Sequence, residues 1–493
     1  IAADKLLLEE QDPNIIYGKA STTIAKGDPV LVEADGDFSK VTSTPSSVSV
    51  SYSDGTPSEI HEGWVDMSSV SYDEAQAKFL VAYRDQDNGS YGFCRVVTVS
   101  NKTLTVGSET SAFNSGSTTP LDSMYIGDSK HCIVYYDSSS HGKAIIATVS
   151  GDSVTFGTAV TWSTTTIHSR ASAYYDSNAG AVVISGRRGG SSTYYTVALS
   201  VSGTDLTAGT VVEDSSYTNT DYYCSAYDVN AQIGVVGFRN TSDDGYLRTI
   251  SVSGNTVTLN TAMNFNSTSN VTMLKDSLTY DPVSQKCFII YRDIPDSEVR
   301  GRVVSISGTT VTVGTDAQVL GFNSSNFGCQ GTDQGGIVCV CRNQASPYYL
   351  QSRIATISGT SFSMTNSETL TSASVADVPS LAYQPSDYTV LTIYKDGSSN
   401  DLQGVCVIPE GTVSSTTYNL TTENFIGLAD IASTANGTSK VRINGVDANN
   451  TGLTAGQLYY VKNDGTLSET AETGKVVEAG KALSATKLLV NTS

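Results

Sequence analysis

Residues 79–106 read Phe79-Leu80-Val81-Ala82-Tyr83-Arg84-Asp85-Gln86-Asp87-Asn88-Gly89-Ser90-Tyr91-Gly92-Phe93-Cys94-Arg95-Val96-Val97-Thr98-Val99-Ser100-Asn101-Lys102-Thr103-Leu104-Thr105-Val106, and they decide the fold. The run Phe79–Tyr83 is apolar on both faces, the mark of a central strand covered on both sides. Cys94–Val99 and Thr103–Val106 alternate around Ser100-Asn101, a tight hairpin whose Asn supplies positive φ. Val70-Ser71-Tyr72 is a further short strand upstream. Four short strands therefore make one unit.

The unit recurs. Its basic-acidic strand end returns at Arg84-Asp85, Tyr136-Asp137, Arg187-Arg188, Arg239-Asn240, Arg292-Asp293, Arg342-Asn343 and Lys395-Asp396, in steps of 52, 51, 52, 53, 50 and 53 residues. The hairpin keeps the same beat at Val149-Ser150-Gly151, Val201-Ser202-Gly203, Val252-Ser253-Gly254, Ile306-Ser307-Gly308 and Ile357-Ser358-Gly359, then degrades to Pro409-Glu410-Gly411. A period near 50 residues built from short strands points to a β-propeller. One unit cannot bury its own apolar face, so the units stack around an axis. We expect an all-β chain with a seven-bladed propeller over residues 64–420. Closure should come from strand exchange between the two ends, since an open ring leaves two edges exposed.

Outside the repeat, residues 1–13 read as an N-terminal arm and 43–63 as a linker or the closing strand. Residues 14–42 and 424–493 each hold short strands around turns such as Asp35-Gly36 and Asn463-Asp464-Gly465. The first segment is too short to bury a core alone. A propeller brings its two ends together, so 14–42 and 424–493 should form one split β-domain into which the propeller is inserted.

Composition bounds the function. Of 493 residues 16% are charged, and 49 acidic against 29 basic residues give a net charge of −20. Such a field disfavours nucleic-acid backbones and anionic bilayers. No stretch approaches the roughly 20 apolar residues of a membrane span. Of the eight cysteines, Cys132, Cys287 and Cys339 fall at one repeated strand position and Cys94 and Cys406 in the following strand, too far apart to pair; Cys339 and Cys341 point to opposite faces of one strand, and most of the eight read as free buried thiols.

Four tyrosines precede or open the third strand of a unit: Tyr91, Tyr194, Tyr246 and Tyr348. Exposed on one face, they would stack on sugar rings and hydrogen-bond their hydroxyls; the bland alternative packs them between blades. Arg84, Arg239, Arg292 and Arg342 would form a charged rim on one face that grips an acidic glycan or a partner. The alternative is a turn or an inter-blade ion pair repeated for the sake of the fold. Asp85-x-Asp87-Asn88-Gly89 opens like a calcium loop but has Val96 where the terminal Glu belongs, and reads as an acidic turn. Spacing yields no nucleophile triad and no carboxylate dyad among His61, His131, His141, His168 and the acids. Neither a metal nor a cofactor is implied.

Residues 18–41 (Gly-Lys-Ala…Ile-Ala-Lys-Gly-Asp-Pro-Val…Ala-Asp-Gly…Lys-Val) and 425–490 (Phe-Ile-Gly-Leu-Ala…Gly-Leu-Thr-Ala-Gly-Gln-Leu-Tyr-Tyr-Val…Leu-Leu-Val) resemble the two parts of a small β-domain in virion appendages of tailed, especially marine, phages. The resemblance implies a structural virion protein: a capsid decoration, fibre or tail component on the particle surface. The split domain would anchor it to other virion proteins or make it a homo-oligomer. The propeller would bind host surface polysaccharide or a neighbouring virion protein. A propeller glycan hydrolase or lyase is the first alternative, and a secreted bacterial adhesin the second.

Overall fold

The computed structural model describes residues 12–44, 50–167, 171–267, 270–294, 298–322, 324–344, 346, 348–376, 379–411, 417–421, 423–463, 465–471 and 476–491. Most of the expected N-terminal arm and His168 lie outside them. The chain is all-β, and its one described helical element is a 3-10 turn at Pro385–Asp387. It divides into two compact units, Val48–Thr412 and the pair of segments Ile1–Ser47 and Val413–Ser493.

The larger unit is propeller-like, with seven antiparallel sheets among the described residues. In the first, Val65–Asp73, Lys78–Asp85, Tyr91–Ser100 and Thr103–Val106 pair in chain order. The innermost strands of the next six are Thr119–Gly127, Ser172–Asp176, Asp221–Asp228, Leu278–Asp281, Phe327–Gly331 and Ser380–Gln384. Each packs against its neighbour, and the seventh packs against the first, so the sheets form a closed cycle. The second strand of each sheet is buried through its length, as in Lys130–Tyr136 and Ile337–Arg342. Full burial of a Val, Leu or Ile side chain stabilises by roughly 1.5–3 kcal/mol, so these strands carry the core.

Strand exchange closes the cycle. The seventh sheet takes its outermost strand from the other end of the repeat, where Val50–Asp54 pairs with Leu402–Gly411, Ser53 opposite Ile408. Ser58–His61 pairs with the same strand beside Leu402. The degraded hairpin mark at Pro409-Glu410-Gly411 thereby gains a reason: no fourth strand follows it in sequence.

Within single sheets an aromatic ring from the connecting strand covers a glycine of the third strand. At the start of the third strand, a Cβ on Gly142 would lie 2.4 Å from Trp162, and one on Gly245 would lie 2.5 Å from Phe265. Only glycine leaves room for those rings. All eight cysteines are buried and unbridged.

The smaller unit is built from both chain segments. Ile15–Lys19 pairs with Thr438–Arg442, and Pro29–Val32 pairs with Phe425–Ala429, in one five-stranded sheet. A second five-stranded sheet comes from residues 444–491. One boundary differs from the sequence expectation. Residues 417–420 belong to this unit: Thr417–Tyr418 pairs with Ser43–Thr44, and Leu420 is buried with Leu31, Val41 and Leu428. The apolar Leu420 follows the core that can bury it, so the repeat stops short of 420.

Candidate functional site

The tyrosines singled out from sequence do not share a face. Register explains why. The third-strand residues opposite the terminal arginines of the second strands include Gly92, Tyr194, Gly245 and Leu350. Tyr91 stands one position before that level, Tyr194 on it, Tyr246 one after and Tyr348 two before. A one-residue step turns a strand side chain to the opposite face. Tyr194 is accordingly 0% exposed, its hydroxyl among Ser185 and Thr196 and its ring 4.9 Å from the Arg248 guanidinium. This corrects the expectation of an exposed, sugar-stacking Tyr194. Tyr91 is half-buried, and Tyr246 is half-buried and stacked on Phe238. Tyr348 stays exposed.

The arginine rim is engaged within the fold. Arg84 forks onto Asp66 through Nε and Nη2, both at 2.6 Å, and reaches Thr119 of the next sheet at 3.0 Å. Arg239 lies over the Tyr222 ring at 4.3 Å and pairs with Asp243 at 3.1 Å. Arg342 donates to the carbonyls of Val375 and Ala376 in the next sheet. Arg292 is half-buried at the matching position. The acids beside them hold turns: Asp85 accepts from the N–H groups of Asp87 and Asn88, and Asp396 from Ser398 and Ser399. Those bonds make Asp85-x-Asp87-Asn88-Gly89 a turn.

Two clusters arise that spacing did not reveal. His61, Asp85 and Glu109 bring ligand atoms within 4.8 Å of one another, the described group with metal-like composition. Glu109 already accepts from Tyr83 and has Arg95 beside it at 4.0 Å, so a cation there would meet a guanidinium. Ser71, His131 and Asp73 form the second cluster, sealed in the seam between the first and second sheets.

The open site lies on the axis. Seven inner strands place Tyr72, Tyr125, Tyr175, Tyr227, Tyr280, Gln330 and Tyr383 at the same level, each one or two residues before its strand ends. All seven line one cavity of about 460 Å3 and are half-buried. Their hydroxyls lean on the preceding sheet: Tyr383 donates to Asp333, and Tyr227 sits beside Asp176, where burial and that carboxylate push its pKa up to about 12. The turns that follow are held by Asp73, Asp176, Asp228 and Asp281, whose carboxylates accept N–H groups two and three residues on. Six tyrosines and one glutamine therefore surround the mouth of the cavity.

The depth of the cavity breaks the repeat. Asp122 stands where other inner strands carry Ser69, Ser172, Ser277 and Ser380. It accepts from Ser69, from the N–H of Ser123 and from the N–H of Ala173. In the fifth sheet the inner strand is interrupted between Val271–Thr272 and Leu278–Asp281, and the excursion carries Lys275 and Asp276. Burial holds both carboxyls above the ordinary range, Asp276 up to about 6, against the pull of Lys275. Bulges also distort the first sheet between Asp66 and Ser69 and the second between Pro120 and Asp122. Bulges re-aim side chains and gather beside functional sites.

No protein-family model matches this chain, and no curated protein matches it. Solved structures do. The BP39L lectin from Burkholderia pseudomallei is 7% identical, with 73% of this chain and 98% of that one covered at a TM-score of 0.54. The likeness shows the fold: a β-propeller. Periplasmic gluconolactonase PpgL from Pseudomonas aeruginosa is 12% identical over 73% of this chain and 97% of that one, with a TM-score of 0.46. The β-propeller domain of Cps50 (Swd1) from Myceliophteria thermophila is 10% identical over 71% of this chain and 98% of that one, also at 0.46.

Proposed function

We propose that this chain is a surface protein of a tailed-phage virion whose propeller binds saccharide in its axial cavity. The seven sheets are then the blades of a seven-bladed propeller inserted into a split β-domain, which attaches to other virion proteins or to copies of itself. The resemblance of residues 18–41 and 425–490 to phage appendage domains supports the anchoring role, as does the pairing of those two segments in one sheet. The observation that carries the binding role is the collar of six tyrosines and Gln330 around a cavity of about 460 Å3. Tyrosine offers an apolar face with a polar tip, the chemistry of sugar recognition.

One observation favours a second reading, a glycan-degrading enzyme. Asp122 and Asp276 occupy non-repeating positions on two sheets and meet in one cavity with raised pKa values, as acid–base chemistry requires. Incubation of the purified protein with host surface polysaccharides separates the two. A binder is retained on the polysaccharide and leaves it intact, whereas new reducing or unsaturated ends identify an enzyme. Replacing Tyr175 and Tyr280 together by Ala should weaken retention about ten- to a hundredfold at unchanged unfolding temperature, since each stacked ring contributes about 0.5–1.5 kcal/mol beyond its buried area. A lack of retention on any saccharide overturns the reading.

A further inference from the structure

Lys275 turns the axial channel into a cup. Its strand excursion, Met273–Ser277, is closed by Ser277, which donates its N–H to the Leu274 carbonyl and accepts the Leu274 N–H on its hydroxyl. The ammonium group reaches from the fifth sheet to the first and donates to the Ser68 carbonyl at 2.8 Å. In a cycle of seven, those sheets are as far apart as any two can be. Ser68 lies four residues before Tyr72, roughly 10–13 Å deeper along the strand. The cavity therefore has an aromatic mouth and a charged floor made of Lys275, Asp276 and Asp122.

Charge at this cavity is unbalanced. Its acidic and basic side chains, tyrosines and Cys329 aside, are three carboxyls, Glu74, Asp122 and Asp276, against the single ammonium of Lys275. Asp122 is satisfied by its three donors. Asp276 is not. Its Oδ2 is enclosed and has no hydrogen-bond partner among the described residues. A buried carboxylate oxygen without a donor is costly to maintain, and the side chain that carries it lines the cavity.

We propose that the cup takes a sugar bearing a free ammonium group, the ammonium donating to the Asp276 carboxylate and the sugar ring lying against the tyrosine collar. This rests on the reading of the cavity as a saccharide site and names the class of saccharide. The collar supplies apolar faces for the ring, and Gln330 supplies an amide for its hydroxyls. The floor supplies an acceptor that a neutral or acetylated amine cannot use as a charge-assisted donor does.

The test compares short β-linked glucosamine oligomers with their fully N-acetylated counterparts by calorimetry at pH 6.5 on the full chain. The amine form should bind roughly ten- to a hundredfold more tightly, the span of a hydrogen bond to a charged group. Asp276→Asn should abolish that preference. Lys275→Gln, which removes the competing ammonium, should strengthen binding of the amine form. Equal binding of both oligomers by the wild-type chain, or binding of neither, overturns this inference, whereas the saccharide reading falls only if the chain is retained on no saccharide. A parallel loss of affinity in both variants marks a structural role for the floor and also overturns it. So does competition by methylammonium at the potency of the sugar.

Discussion

The hydroxyl oxygen of Ser71 lies 2.7 Å from Nδ1 of His131, across the seam between the first and second sheets. On the other side of the ring, Nε2 faces Asp73 Oδ2 at 3.5 Å. The order Ser-His-Asp is that of a nucleophile triad, but His131 and Asp73 are 0% exposed and Ser71 is 6% exposed. The chain of contacts fastens two sheets.

Acid should loosen that fastening. Burial holds the His131 pKa below its ordinary 6.5 even with Asp73 beside it. The folded state therefore keeps the imidazole neutral while the unfolded chain takes up a proton. The stability it contributes is complete above about pH 6.5 and is lost as pH falls below that value, with a slope of about 1.4 kcal/mol per unit for one proton. His131→Gln should be less stable than wild type by roughly 1–3 kcal/mol at pH 7.5. The gap should shrink towards pH 5. A gap that stays constant in chemical denaturation over that range would contradict the neutral, buried imidazole.

Asp276 should show the opposite sign. Its carboxyl is raised to about 6, so the folded state binds a proton more readily than the unfolded chain. The stability linked to this group is present below pH 4 and is lost as pH rises through about 6. Asp276→Asn should stabilise the protein at pH 7.5 by on the order of 1–3 kcal/mol, with the gain vanishing near pH 4. Thermal unfolding at the two pH values checks it.

Tyr194 should behave as core. Tyr194→Phe removes a hydroxyl placed among Ser185 and Thr196 and should cost about 1 kcal/mol. Tyr194→Ala should cost about 3–5 kcal/mol. Neither should change saccharide retention once the folded fraction is accounted for. Selective loss of retention in the Phe variant would return this residue to the binding site.

Removing the closing strand should open the seventh sheet. Without residues 50–61 the strand Leu402–Gly411 loses its partners and Ile60 leaves the core shared with Val65 and Leu391. An unpaired edge invites intermolecular pairing. Size-exclusion chromatography should show aggregation, and the unfolding transition should fall. A monomer of wild-type stability would mean that closure does not depend on this strand.

Deleting residues 1–42 should unfold residues 424–442 first. Thr438–Arg442 would lose Ile15–Lys19, and Phe425–Ala429 would lose Pro29–Val32. Hydrogen exchange should rise there while the central strands of the larger unit stay protected. Retained protection in 424–442 would contradict the shared sheet.

Much of this molecule is written along the chain. The beat of about 52 residues and the buried second strands follow from local pattern, because strand pairing between neighbours in sequence repeats with the sequence, and the exchange strand near residue 50 follows from the edges an open ring would expose. A third mark was also legible: Tyr72, Tyr125, Tyr175, Tyr227, Tyr280 and Tyr383, with Gln330 between the last two, step by 53, 50, 52, 53, 50 and 53 residues. Which tyrosines face water was not legible, since Tyr91, Tyr194 and Tyr246 differ by single-residue steps of register, and each step reverses the face. The floor of the cup is set by the ring alone. Lys275 and Ser68 are 207 residues apart in sequence, and no period relates them. They meet because a closed cycle of sheets brings every inner strand to one axis, where a side chain that departs from the repeat on one strand reaches the backbone of another.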